Sequence, residues 1–150
     1  MIAVVQRVTE ASVKIEGKVK GEIGLGFMVL LGVSVDDQIE DAEWICKKII
    51  GLRIFSDEDG KLNLDIKQAG GNVLLISQFS LQASTRKGNR PSFINAARPE
   101  KAIPLYEKVL ALLSAGLEKE VPSGEFGADM KVSLVNDGPM TIVLDSKDKK

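Results

Sequence analysis

The sequence predicts an α/β protein: a mixed, barrel-like layered β-sheet with two main helices packed on one side. Three observations carry this. Short apolar segments of strand length recur along most of the 150 residues. Only two stretches, around Ile39–Ile50 and Ala102–Leu113, repeat apolar residues at spacings of three and four. Two helices cannot cover both faces of such a sheet, so further strands or a partner subunit are expected on the other face.

The first third reads as sheet. Met1 to Val8 is apolar apart from Gln6 and Arg7. Ser12 to Glu16 and Val19 to Ile23 alternate on either side of Gly17, the pattern of a hairpin. Phe27 to Val33 is nearly continuous apolar sequence, as in a strand covered on both faces. A helix follows, with Asp37 expected as its N-cap and Glu40 as the capping-box partner. Lys47 and Lys48 suit its C-terminal dipole, and Gly51 is placed to end it. Leu52 to Phe55 is a short strand and Ser56 to Lys61 a polar turn. Asn72 to Phe79 is a second buried strand, and Gln82 to Asn95 is polar and irregular. The second helix is expected from Pro99, welcome in a first turn, to Ala115, with Gly116 ending it. Phe126–Val135 and Met140–Asp145 read as two closing strands, and Ser146–Lys150 as a frayed tail. With no linker or repeat, residues 1–150 read as one domain.

Composition narrows the function. Apolar residues make up 44% and charged residues 27%, as in a soluble globular protein. Twenty basic against 21 acidic residues leave no broad electrostatic grip on nucleic acid, so DNA is not expected as a partner. The apolar run from Phe27 to Val35 is too short to cross a bilayer, and Met1–Arg7 lacks the layout of a signal peptide. A cytoplasmic location, with no membrane partner, is the expectation. The one cysteine, Cys46, lies on the apolar stripe of the first helix and has no disulfide partner. No histidine is present, which excludes Ser–His–Asp and Cys–His nucleophile systems and any histidine-bearing zinc site. The acidic turn Asp57-Glu58-Asp59 lacks the spacing of a calcium loop, so neither metal nor cofactor is expected.

Two segments are candidates for chemistry. Ser77-Gln78-Phe79-Ser80-Leu81 places hydroxyls and an amide where a buried strand ends. It is either a ligand site or a strand turning polar as it leaves the core. Asn136-Asp137-Gly138-Pro139-Met140-Thr141 sets a donor-free proline step between two strand-like stretches. It is either a simple turn or a kink that aims backbone carbonyls at a ligand. An X-Pro bond is also the common site of a cis peptide.

Taken together the two segments resemble the D-aminoacyl-tRNA deacylase family. That family has a Ser-Gln-Phe-Thr-Leu-like strand end and an Asn-x-Gly-Pro-x-Thr turn. Further matching stretches are Val5-Gln6-Arg7-Val8, Leu52-Arg53-Ile54-Phe55, Lys87-Gly88-Asn89-Arg90-Pro91-Ser92-Phe93 and Gly124-Glu125-Phe126-Gly127-Ala128-Asp129-Met130. The resemblance runs from residue 1 to about 146. Ser80 departs from the usual Thr but keeps the hydroxyl, and Met140 replaces the commoner Val.

The resemblance implies a deacylase-type fold and a homodimer that hydrolyses the ester between a D-amino acid and the 3′-terminal adenosine of tRNA. It also implies removal of glycine from wrongly charged tRNA. Ser77, Gln78, Phe79 and Ser80 are the implied catalytic segment. Gly138 and Pro139, joined by a cis bond, are the implied chiral filter, delivered into the partner's site. Phe126 and Met130 would line the adenosine pocket. Arg7, Asn136 and Thr141 would support the Gly-Pro turn. Hydrolysis is expected to use backbone N–H groups near Phe79 and Ser80 together with the 2′-OH of the RNA. Ser80 as a nucleophile stays an alternative, although no base is at hand to take its proton. Arg86, Lys87 and Arg90 either meet acceptor-stem phosphates or form a solvated loop. The rival reading is a non-catalytic RNA- or partner-binding module that keeps the fold.

Overall fold

A computed structural model describes residues 1–150. The strands are β1 (Ile2–Ile15), β2 (Lys18–Ile23), β3 (Gly26–Gly32), β4 (Phe55–Ser56), β5 (Leu62–Leu64), β6 (Asn72–Ser77) and β7 (Lys131–Asp145). The helices are α1 (Ile39–Gly51) and α2 (Pro99–Leu117). β1 organises the sheet. Its first half pairs with β3 and its second half with β2, both antiparallel. β7 runs antiparallel along nearly all of β1. β6 joins β3 in parallel, which makes the sheet mixed.

The pleat sends alternate side chains to two faces. Ala3 and Val5 of β1, Phe27, Val29 and Leu31 of β3, and Val73 and Leu75 of β6 face the helices. There they meet Ile45 and Ile49 of α1 and Val109 and Leu113 of α2. Met28, Leu74 and Ile76 point the other way, where Val8, Ala11 and Val13 of β1 and Ile23 of β2 cover them. The β1–β7 register breaks between Gln6 and Glu10, and such irregularities bend a strand. Beyond the break β1, β2 and the start of β7 curl over the outer face, giving a half-barrel. Strands of the chain itself therefore cover much of the face opposite the helices.

Several boundaries differ from expectation. β1 is one strand, because β7 supports it throughout. β7 likewise continues through the Gly-Pro step, and residues 126–130 precede it as loop. The short strand expected at Leu52–Phe55 is instead Phe55–Ser56, and it pairs with a strand the sequence did not suggest, Leu62–Leu64. β6 ends at Ser77, two residues early. α2 continues to Leu117 and closes on Glu118 in the left-handed region. Gly116 lies inside the helix, where a Cβ would overlap Ile50 of α1. Its role is close helix packing, not termination.

The N-cap of α1 is Gln38, whose N–H donates to Asp41 at 2.8 Å. Asp37 is drawn away to a buried polar cluster. It accepts from the Met1 ammonium at 2.6 Å and from the Ser34 N–H at 2.7 Å. The Met1 ammonium also donates to the Ser146 hydroxyl at 2.8 Å, and Lys147 Nζ donates to Asp41 at 3.0 Å. The tail thus starts tied down: Ser146 is buried instead of frayed. No helix is long and apolar enough to cross a membrane.

Candidate active site

β6 is apolar from Val73 to Ile76 and turns polar at Ser77, where it leaves the sheet. Gln78 still donates its N–H to Leu31 of β3 at 2.8 Å. The chain then winds into a 3₁₀ turn, Phe79–Gln82, and Gln82 Nε2 fixes that turn to the Gly32 carbonyl at 3.0 Å. Gly32 makes room for it. A Cβ there would lie 2.8 Å from Leu81 Cβ and 2.9 Å from the Gln78 carbonyl. At the head of the turn the N–H groups of Phe79 and Ser80 have no acceptor within the chain, as is usual for the first donors of a helical turn. Gln78 Nε2 donates to Ser80 Oγ at 2.5 Å.

This turn walls one side of a cavity of about 530 Å³. Ser77, Gln78 and Phe79 line it together with Phe126 to Met130, Ile76 and Val132. Phe126 is held edge-on against Tyr106 at 6.0 Å. Tyr106 in turn donates its hydroxyl to the Leu75 carbonyl at 3.1 Å, and burial raises its pKa. The loop carrying Phe126 is anchored by the Gly124 N–H on the Leu75 carbonyl, 3.1 Å. A Cβ at Gly124 would overlap Met130 Sδ, so the glycine lets Met130 fold into the cavity wall. The walls are mainly apolar with a few polar groups, the usual makeup of a small-molecule pocket. The one acidic lining residue, Asp129, is paired with Lys131 at 2.9 Å.

The Gly138-Pro139 segment forms a second, separate group. Between the pairs Gln6↔Thr141 and Val8↔Asn136, β1 spends one residue while β7 spends Asp137 to Met140. The surplus bulges out of the sheet, and Gly138 and Pro139 are exposed at its tip with a cis bond between them. Side chains hold it from below. Arg7 Nε donates to the Asp137 carbonyl at 3.1 Å and Arg7 Nη1 to the Ile54 carbonyl at 2.6 Å. Asn136 Nδ2 bridges the Arg7 and Met140 carbonyls at 3.0 and 2.9 Å. Gln6 Nε2 donates to Thr141 Oγ1 at 3.3 Å. Neither Gly138 nor Pro139 lines the cavity of its own chain.

Ser77, Gln78, Phe79, Phe126 and Met130 thus share one cavity, and Ser80 is joined to it by its hydrogen bond from Gln78. Arg7, Asn136 and Thr141 gather at the bulge instead. Arg86, Lys87 and Arg90 are exposed on a loop closed by Ser84 and Ser92. Gly32, Tyr106, Phe93 and the wall residues Ala96, Ala97 and Pro99 were not among the site residues read from the sequence. Gly32 carried a faint signal, as a glycine ending an apolar strand. The Ala96-Ala97 step before α2 carried none.

A family model described as D-Tyr-tRNA(Tyr) deacylase matches residues 4–145. The chain belongs to this family. It is similar, at 59% identity over the full length of both chains, to a D-aminoacyl-tRNA deacylase of Phocaeicola vulgatus. One of Bacteroides thetaiotaomicron is 56% identical, again over both full lengths. Among solved structures, one described as a c-Myc DNA unwinding element binding protein superposes with a TM-score of 0.91. It is 42% identical, with 97% of this chain and 98% of that chain covered. A probable eukaryotic D-amino acid tRNA deacylase superposes at 0.82 and 15% identity, covering 95% and 97%, a likeness of fold alone. Both solved structures share this chain's fold.

Proposed function

We propose that this deacylase hydrolyses the ester joining a D-amino acid, or glycine, to the terminal adenosine of tRNA, and does so as a homodimer. The supporting observation is the cavity itself: a strand end rich in hydrogen-bonding groups shares a cavity of about 530 Å³ with Phe126 and Met130. The apolar wall suits an adenine base, which stacks on aromatic and thioether groups. The strand end then lies beside the 3′ ester.

The chain has no histidine to act as base. An aminoacyl ester is an activated acyl group and needs less help than an amide. Water adds to the ester carbonyl, and the free N–H groups of Phe79 and Ser80 are the donors offered to the developing oxyanion. One such donor contributes about 3–4 kcal/mol in a protease. The 2′-OH of the terminal adenosine assists the water. The C–O bond then breaks, giving the free amino acid and the 3′-hydroxyl of tRNA.

The Gly138-Pro139 bulge is the chiral filter. Its carbonyls accept hydrogen bonds from the substrate α-ammonium and fill the space that an L side chain would need. Glycine passes because it has nothing to clash. The bulge is exposed and lies outside its own cavity, so a second subunit is its natural receiver.

Incubation with D-tyrosyl-tRNA and L-tyrosyl-tRNA tests the reading. Loss of the D ester alone is expected. Survival of both esters would favour a binding module that keeps the fold. A terminal 2′-deoxyadenosine should slow the reaction sharply, and an unchanged rate would remove the RNA from the chemistry.

A further inference from the structure

From Ile66 to Pro99 the sequence holds five basic residues, Lys67, Arg86, Lys87, Arg90 and Arg98, and no acidic one. This is an abrupt local excess in a chain of net charge −1. Lys67 and Arg98 are each within 3.7 Å of a carboxylate, Glu118 and Glu100. Arg86, Lys87 and Arg90 are different: all three are exposed, and their side chains make neither an ion pair nor a hydrogen bond. Their loop nevertheless has a defined base. Ser84 and Ser92 exchange backbone hydrogen bonds, both 2.8 Å, and Gly88 takes a φ of +113° near the tip. The base is also tied to the cavity. Phe93 packs edge-on against Phe79, a lining residue, with ring centroids 4.9 Å apart.

Three like charges on one short loop repel each other unless an anion sits among them. A nucleic acid whose terminal base enters the cavity must leave its preceding phosphates outside the mouth. Two guanidinium forks and an ammonium are suited to phosphate oxygens. Resting on the deacylase reading above, we propose that the Ser84–Ser92 loop is a phosphate-binding finger. Arg86, Lys87 and Arg90 take the backbone phosphates of the single-stranded 3′ end of tRNA, next to the terminal nucleotide. The contact supplies affinity without reading sequence and takes no part in the bond changes.

The experiment compares two esters, D-tyrosyl-tRNA and D-tyrosyl-adenosine, which has no phosphate. In the variant R86A/K87A/R90A, kcat/KM on the tRNA should fall about tenfold or more at low salt, carried by KM. Each phosphate contact on a single strand contributes a salt slope of about 0.7. The slope of log kcat/KM against log salt should therefore shrink by about 2. Turnover of D-tyrosyl-adenosine should match wild type. Lys87→Glu alone should shift the tRNA reaction in the same direction, and thermal melting checks that both variants fold. An unchanged KM and salt slope on tRNA, with wild type cleaving both esters, overturns the finger. So does an equal loss on both esters, which would mean that the loop acts through Phe93 on the site's shape. Wild-type failure on both esters would remove the hydrolase reading itself, and this inference with it.

Discussion

Ser80 and Gly138 are the residues at which single atoms discriminate between mechanisms. Ser80 Oγ has one polar neighbour, the Gln78 amide, and an amide N–H cannot accept a proton. Ser80→Ala should therefore leave kcat on D-tyrosyl-tRNA within about tenfold, whereas losing a true nucleophile costs on the order of 10⁶-fold. A trapped acyl-serine, or a loss of that size, would reinstate covalent catalysis. Gly138 has a φ of +124°, and a Cβ there would lie 2.7 Å from Arg7 Nη2. Gly138→Ala should push Arg7 off the bulge and cost about 1–3 kcal/mol of stability. Cleavage of the D ester should fall to a trace, because the α-ammonium loses its carbonyl partners, and the residual activity should favour D over L less. Wild-type stereoselectivity would show that the bulge does not judge chirality. Gly138 was legible because a glycine before proline stands out in an apolar strand. Gly32 was not, because its reason lies in Leu81 and Gln78, brought close only by folding.

At the scale of elements, local pattern found most strands and both helices but misplaced their ends where tertiary contacts outcompete caps. Asp37 has the composition of an N-cap, yet the Met1 ammonium and Ser34 N–H claim its carboxylate. The cap role moves one residue on, with Asp41 receiving the Gln38 N–H. Burial pushes the Asp41 carboxyl up, but hydrogen bonds from Ser146, the Gln38 N–H and Lys147 outweigh it and bring it down to about 2. The same contact with Asp41 raises the pKa of Lys147. The sign follows from linkage. Asp41 contributes fully above its ordinary value of 3.8, and the contribution disappears as pH falls through about 2. Asp41→Asn should therefore melt below wild type at pH 6, with the gap closing between about pH 4 and 2. A gap independent of pH would mean that α1 and the tail are joined by packing alone. Cys46 shows the reverse: burial alone pushes its thiol up to about 12, which suits a core residue and not a reactive one.

At the scale of the whole molecule, β7 is the element that a single chain leaves unfinished. It is fifteen residues long and pairs only with β1, so one edge stays open along its length. Val135 and Val143 are exposed on it, and the Gly-Pro bulge projects from it. Open edges of this length are usually covered by another element or another chain. Sequence pattern showed both halves of this strand but not their continuity, because continuity depends on β1 lying alongside. If the bulge completes a neighbour's cavity, two differently damaged chains should rescue each other. Ala128→Trp fills the cavity but leaves the bulge intact, while Gly138→Ala damages the bulge but leaves the cavity intact. Each alone should be nearly inactive. In a two-fold dimer mixed from equal amounts, half the dimers are hybrids, and each hybrid holds one site with a sound cavity and a sound bulge. Mixing should restore about one quarter of wild-type activity. Native mass spectrometry would count the hybrids. Hybrids without recovered activity would place cavity and filter in the same chain, and an active monomer would dispense with the partner.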